Sequence, residues 1–123
     1  MVVIVIADGI VPHEADLGAL LATHNDSDAL VTIAVQTTGD VAGRDVVVTG
    51  ADGRVVGYQR RAHPAEALSD IVDTGVHVVS GEAFEYLTDR SPGAWSPDAI
   101  TTLLESDVPI QAAPLGPIGL DAT

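Results

Sequence analysis

Asp8 and Gly9 stand at the end of an uninterrupted apolar run, Val2–Ile6 followed by Ala7. A carboxylate delivered at the C-terminal end of a buried strand can hold a hard cation such as Mg²⁺. Ligands of open α/β sheets bind beyond those same strand ends. The plain alternative is that Asp8 and Gly9 only form a turn. A second set of chemically able residues is cationic. The chain has five Arg (Arg44, Arg54, Arg60, Arg61, Arg90) and no Lys, and four of the five fall between positions 44 and 61. That island could receive a phosphate, or it could be the solvated face of a hairpin. The four His (His13, His24, His63, His77) share no metal-ligand spacing and read as structural or surface residues. Ser27, Ser69 and Ser80 lie in no nucleophile-elbow context, so hydrolase chemistry has no support. Cysteine is absent, which removes disulfides, thiolate metal sites and a cysteine nucleophile.

These residues need elements to position them. Val2–Ile6 reads as a central strand, and residues 14–24 as a helix with Leu17, Leu20 and Leu21 at helical spacing. Residues 25–28 (Asn-Asp-Ser-Asp) stop it, and residues 30–36 form a β-branched strand. Residues 46–49 and 54–58 flank Gly50-Ala51-Asp52-Gly53 as a hairpin. A polar loop at 62–68 precedes a strand at 76–79 and a short helix at 81–88. Ser96 is an N-cap and Pro97 a first-turn proline for a third helix, and residues 109–113 form a last strand. Strands alternating with helices predict an α/β domain: a mixed, mainly parallel sheet with flanking helices and one β-hairpin. At 123 residues the chain makes one domain, 1–123.

Composition limits the partners. Only four residues are aromatic, so Val, Ile, Leu and Ala must fill the core. Eighteen acids against five bases give a net charge of −13, a field that repels phosphodiester backbones and anionic headgroups. Nucleic-acid and membrane-surface binding are therefore excluded as expectations. Val2–Ile6 is too short to span a bilayer and lacks the basic flank of a signal peptide, which leaves the cytoplasm as the expected location.

The order of segments resembles one family. Val-Val-Ile-Val-Ile-Ala-Asp-Gly, then Asp16-Leu17-Gly18-Ala19-Leu20-Leu21-Ala22-Thr23-His24, then Ala29 to Val35 is similar to the opening stretch of the sugar-phosphate nucleotidyltransferases. These join a nucleoside triphosphate to a sugar 1-phosphate and release pyrophosphate. Gly50 to Tyr58 resembles the family's D-x-D-G-R-V-x-x-F hairpin. Ser69 with Asp73-Thr74-Gly75-Val76-His77-Val78-Val79 resembles S-x-x-x-N-T-G-I-Y-V-F. Pro109-Ile110-Gln111-Ala112 resembles P-V-x-A-Y, and Leu120 to Thr123 a shortened W-x-D-I-G-T. The resemblance implies a partial nucleotidyltransferase (Rossmann-like) fold. It makes Asp8 and Asp121 the counterparts of two Mg²⁺ ligands, although Asp121 can also be read as an Asp in the tail. It also places Arg60, Arg61, Asp73, Thr74 and Gly75 on the sugar-phosphate side.

The pattern breaks where ligands would bind. The family's G-G-x-G-T-R-L loop and the Lys that follows have no counterpart, so only the sugar-binding half is represented. Its F-x-E-K-P falls on Tyr58-Gln59-Arg60-Arg61-Ala62. Arg60 then replaces a Glu that binds sugar hydroxyls, and Arg61 replaces a Lys that meets the phosphate, which is not a neutral exchange. Asp73 replaces an Asn, and Asp45 sits near a Gly that lets the sugar approach the backbone.

Three readings follow. One is a degenerate or truncated nucleotidyltransferase-like domain, a pseudoenzyme not catalytic alone, that binds a sugar phosphate or nucleotide sugar. Another is an active half completed by a further chain. The third is an unrelated α/β binding domain, which a sheet lacking the Asp8 cleft would favour. In the first two, an uncovered apolar edge predicts self-association or a partner chain through Val2–Ile6.

Overall fold

The computed structural model describes residues 2–7, 12–89 and 91–115. Its six strands are β1 (Val2–Ile6), β2 (Val31–Thr37), β3 (Val46–Thr49), β4 (Val55–Gln59), β5 (Ile71–Ser80) and β6 (Ile110–Pro114). Its two α-helices are α1 (Glu14–Asp26) and α2 (Pro97–Glu105), and short 3₁₀ turns fill several connections. The strands form one sheet in the order β4-β3-β5-β2-β6, with β1 alongside β5.

The sheet is mixed but not mainly parallel. Only β2 and β6 pair in parallel, while β1–β5, β2–β5, β3–β4 and β3–β5 are all antiparallel. The physical reason is an insertion. β1, β2 and β6 do run the same way, as alternating strands and helices imply, but β5 enters between β1 and β2 in the opposite sense. Apolar runs such as Val76-His77-Val78-Val79 carry no directional signal, so the sequence cannot report that reversal. β1 is likewise not central, since among the described residues it pairs with β5 alone and leaves Val2 and Ile6 exposed.

Two cores cover the sheet faces. On one side Leu17, Leu20 and Leu21 of α1 pack on Ile4, Ala34, Val76, Val78, Ala113 and Leu115. His24 fastens the same helix, its Nδ1 2.7 Å from Thr32 Oγ1 and its Nε2 2.7 Å from Ser80 Oγ. The helix ends as Ser27 donates its hydroxyl to the His24 carbonyl over 3.1 Å. The opposite face is larger. Ile100 and Leu103 of α2 join Val31, Ile33, Val47, Val55, Phe84, Trp95 and Ile110 there. Pro97 opens α2 where no helical N–H is needed. The hairpin β3–β4 closes over this face, because its tip reaches β6: Gln111 Nε2 donates to the Asp52 carbonyl over 2.7 Å.

β5 is bent in its middle. Its register against β2 shifts between the Ile33–His77 and Val35–Asp73 pairs, and Gly75 takes φ +92°. Only glycine enters that region at little cost. Beside the bulge the buried Thr74 hydroxyl donates to the Ala34 carbonyl over 2.8 Å.

Candidate functional site

The bulge matters because two strands meet beside it. β1 pairs with residues 76–80 of β5, and β3 pairs on the same side at Val72. The C-terminal end of β1 and the start of β3 therefore lie nose to tail along one edge of β5. Ala7 donates its N–H to the Gly75 carbonyl over 2.9 Å, and Asp73 donates its N–H to the Asp45 carbonyl over 2.9 Å. The segment Asp73-Thr74-Gly75 fills the gap between them.

A chain of polar side chains runs inward from this gap. Tyr58, on β4, donates its hydroxyl to Asp73 Oδ2 over 2.6 Å and stands 3.3 Å from Asp45 Oδ2. His77 Nε2 lies 2.6 Å from Asp73 Oδ2. Gly75 N–H donates to Asp73 Oδ1 over 2.7 Å. Trp95 donates its indole N–H to His77 Nδ1 over 3.0 Å. An indole nitrogen can only donate, so Nδ1 must be the acceptor and Nε2 must carry the proton that it gives Asp73. The tautomer of His77 follows from this one contact.

Electrostatics fit that reading. Burial works to raise the Asp73 carboxyl, but the hydrogen bonds from His77, Tyr58 and the Gly75 N–H outweigh it and hold the group below its ordinary value. Burial and the Asp73 and Asp45 carboxylates push the Tyr58 phenol far above its usual range, so it stays a donor. At the rim, Arg60 Nε donates to Asp45 Oδ1 over 3.2 Å, and its Nη1 bonds Asp98 in the first turn of α2. Partial burial disfavours the Arg60 charge, but the two carboxylates outweigh it and raise its pKa. Arg61 donates its backbone N–H to Asp45 Oδ1 over 2.9 Å.

A cleft of about 200 Å³ opens here, lined by Val5, Ala7, Gly75, His77, Trp95, Ser96 and Pro97. Its walls are largely apolar, and of the polar cluster only His77 lines it, with Ser96 beside it. Larger hollows of about 470 and 400 Å³ lie at the ends of β2 and β6 and between β4 and α2. The first is lined by no ionisable side chain, and the second only by Arg54 and Asp107 apart from apolar residues. Its place at the Ala7–Gly75 junction, beside the His77–Asp73 pair, rather than its volume, singles out the smaller cleft.

The residues singled out in the sequence divide accordingly. Asp73, Gly75 and Arg60 come together, joined through Asp45. The Thr74 hydroxyl turns into the sheet and braces the bulge instead of facing the cleft. Arg61 contributes its N–H to the cluster, while its side chain is exposed. Asp8 and Asp121 lie outside the described residues. Among the described residues no group of three His, Cys, Asp or Glu could hold a metal ion. The carboxylates present, Asp45 and Asp73, already accept hydrogen bonds on both oxygens. Sequence reasoning missed Tyr58, His77, Trp95 and Asp98 as members of the site. The one available signal was that the single Trp directly precedes a Ser-Pro helix start.

No family model matches the chain. It is 27% identical over 101 residues to a UTP–glucose-1-phosphate uridylyltransferase of Synechocystis sp. (strain ATCC 27184 / PCC 6803 / Kazusa), a match covering 80% of this chain and 26% of that protein. Its fold is similar to that of an apo UDP-glucose pyrophosphorylase, with TM-score 0.73, 15% identity and coverage of 95% of this chain and 48% of the other. It is also similar to a putative glucose-1-phosphate thymidylyltransferase from Bacillus anthracis in complex with a sucrose, with TM-score 0.70, 15% identity and coverage of 94% and 46%. The fold is thus that of the sugar-phosphate nucleotidyltransferases. The chain spans about a quarter of the length of the curated relative and about half that of the solved structures. No helix among the described residues is long and apolar enough to cross a membrane.

Proposed function

We propose that this chain is a sugar-phosphate-binding domain of nucleotidyltransferase type that binds a sugar phosphate or nucleotide sugar and does not catalyse transfer alone. The observation that carries the reading is the Ala7–Gly75 hydrogen bond. It fixes the C-terminal end of β1 against the Asp73–Gly75 bulge and leaves the cleft open between that junction and Trp95. A strand end facing a glycine bulge is where a flat polyhydroxylated ring can approach the backbone closely.

The parts divide by chemistry. The apolar wall of Trp95 and Pro97 suits the face of a sugar ring. Asp73 is enclosed by its three donors, so His77, which it orients, and Ser96 are the polar residues that line the cleft. The exposed Arg61 guanidinium is the group for a phosphate. Arg60 is spent on Asp45 and Asp98, so hydroxyl recognition by an acceptor at that position is lost. That loss supports binding without catalysis. For Mg²⁺ the proposed ligands are Asp8 and Asp121, as the family resemblance implies. Bound there, the ion would neutralise phosphate charge.

The test uses two readouts on one sample. Glucose 1-phosphate and UDP-glucose are titrated while the fluorescence of Trp95 is followed. Pyrophosphate release is then measured with nucleoside triphosphates, sugar 1-phosphates and Mg²⁺. Saturable binding without release is the expected pair of results. Release that vanishes in Asp8→Ala would overturn the non-catalytic reading, and absence of any binding would overturn the binding reading.

A further inference from the structure

Among the side chains that line the cleft, only those of Trp95, His77 and Ser96 carry a hydrogen-bonding atom. Two of these are already committed. The indole N–H of Trp95, its single donor, is given to His77 Nδ1, and His77 Nε2 is turned to Asp73 Oδ2. Neither ring has a nitrogen left for a ligand. The Gly75 N–H is likewise taken, by Asp73 Oδ1. Ser96 is the lining side chain that remains.

Ser96 stands at the N-cap of α2, where a serine hydroxyl ordinarily accepts a bond from an N–H of the first turn. Here it accepts none. Pro97 at the start of the helix has no N–H, and the Ala99 N–H bonds the Ser96 carbonyl over 2.9 Å instead of the hydroxyl. Among the described residues the Ser96 hydroxyl has no hydrogen-bond partner. The residue is exposed, so the hydroxyl can exchange water for a group bound in the cleft. Its backbone is nevertheless held on both sides. Trp95, just before it, is buried and fixed by its bond to His77 and its edge contact with Phe84. Asp98, two residues after it, is bonded by Arg60. A polar group held in place by its neighbours loses little freedom when a ligand binds.

We propose that Ser96 is the specificity-determining residue of the cleft, its hydroxyl hydrogen-bonding one hydroxyl of the bound sugar while Trp95, His77 and Pro97 supply surface. A serine hydroxyl both donates and accepts, so it matches a sugar hydroxyl in either role. The inference rests on the sugar-phosphate reading above and adds which group reads the ring.

The experiment is calorimetric titration of the full chain with glucose 1-phosphate and with a set of its deoxy analogues, each lacking a single hydroxyl. It compares the wild type with Ser96→Ala, Ser96→Thr and Ser106→Ala, the last at the other end of α2. One neutral hydrogen bond corresponds to about two- to ten-fold in affinity. The wild type should bind one analogue more weakly by that factor. Ser96→Ala should bind glucose 1-phosphate more weakly by the same factor and no longer distinguish it from that analogue. Ser96→Thr, which keeps a hydroxyl, should recover part of the loss, and Ser106→Ala should bind as the wild type does. Binding of glucose 1-phosphate by Ser96→Ala at wild-type affinity, or with the wild-type preference among the analogues, would overturn the role of Ser96 and leave the sugar-phosphate reading standing. Absence of binding by the wild type would overturn both. Thermal melts separate a structural role from a binding one. Ser96→Ala should melt with the wild type, because the hydroxyl caps nothing, and a fall of several degrees would show that it caps α2 and would overturn the proposal.

Discussion

Trp95 stands over His77 at a ring separation of 6.1 Å and an interplanar angle of 80°, with its indole N–H on His77 Nδ1. The helix start at Ser96 thereby controls which proton a strand residue offers to Asp73. Trp95 also meets Phe84 edge-on at 5.8 Å, so it is packed from two sides. Trp95→Phe keeps the ring and removes the donor, leaving a buried imidazole nitrogen without a partner. The expected loss in unfolding free energy is about 1–3 kcal/mol, read by urea denaturation followed by circular dichroism. A change within error would mean that the tautomer is set elsewhere.

Asp73 is a buried carboxylate supported by three donors, and its removal should be among the most damaging single changes at the site. Asp73→Ala strands the His77 Nε2–H and the Gly75 N–H and leaves the Tyr58 hydroxyl only its longer bond to Asp45. Two unpaired buried donors at about 1–3 kcal/mol each give an expected cost of about 2–6 kcal/mol. The pH dependence has a definite sign. The carboxyl sits below its ordinary 3.8 in the folded chain, so the unfolded chain binds its proton first. Its contribution is complete above that ordinary value and is lost as pH falls through the lower folded value. Asp73→Asn should remove this limb of the acid-denaturation curve. A curve unchanged below pH 4 in the Asn variant would contradict the assignment.

His24 supplies a second and separate window. Burial lowers its pKa below the ordinary 6.5, because charging the ring between Thr32 and Ser80 would cost solvation. The unfolded chain therefore protonates first as pH drops. Stability from this group is full above 6.5 and declines as pH falls through the lower folded value. Denaturation series at pH 7.5 and pH 5.5 should differ more in the wild type than in His24→Gln. Equal differences in the two proteins would place the mild-acid sensitivity on other groups.

Much of the scaffold could be read in the sequence, and most of the site could not. Val2–Ile6 and the β-branched runs around residues 31–37 and 46–49 declare strands by composition. Ser96-Pro97 declares a helix start by its first-turn proline, although the Ser96 side chain makes no capping hydrogen bond. Strand direction is invisible at that level, so the insertion of β5 went unseen. Asp73-Thr74-Gly75 reads as a turn before a strand because glycine marks both turns and bulges. The structure shows a ten-residue strand bent through it. Tyr58, His77 and Trp95 share no spacing: the hairpin brings Tyr58 to Asp73, the bent strand β5 sets His77 against the same carboxylate, and Trp95 reaches His77 alone. Asp45 was legible as an intruder at a glycine-like position, but its partnership with Arg60 depends on a turn geometry at Arg61 that no motif announces.

β1 has one remaining property to test. Its five residues carry no charge and no proline, the usual guards of a strand edge. It pairs with β5 on one side, and Val2 and Ile6 are 44% and 41% exposed. Among the described residues nothing pairs with its other side. A strand of this kind is a template for further pairing, so the chain should associate as its concentration rises. Ile6→Lys places a charge on the strand at an already exposed position, and it should shift sedimentation toward the monomer without lowering the melting temperature by more than a few degrees. The chain's net charge of −13 opposes self-association at low ionic strength, so the effect should be clearest at about 0.1 M salt or above, where repulsion is screened beyond roughly 10 Å. A wild-type monomer at all concentrations under those conditions would show that the edge is already guarded.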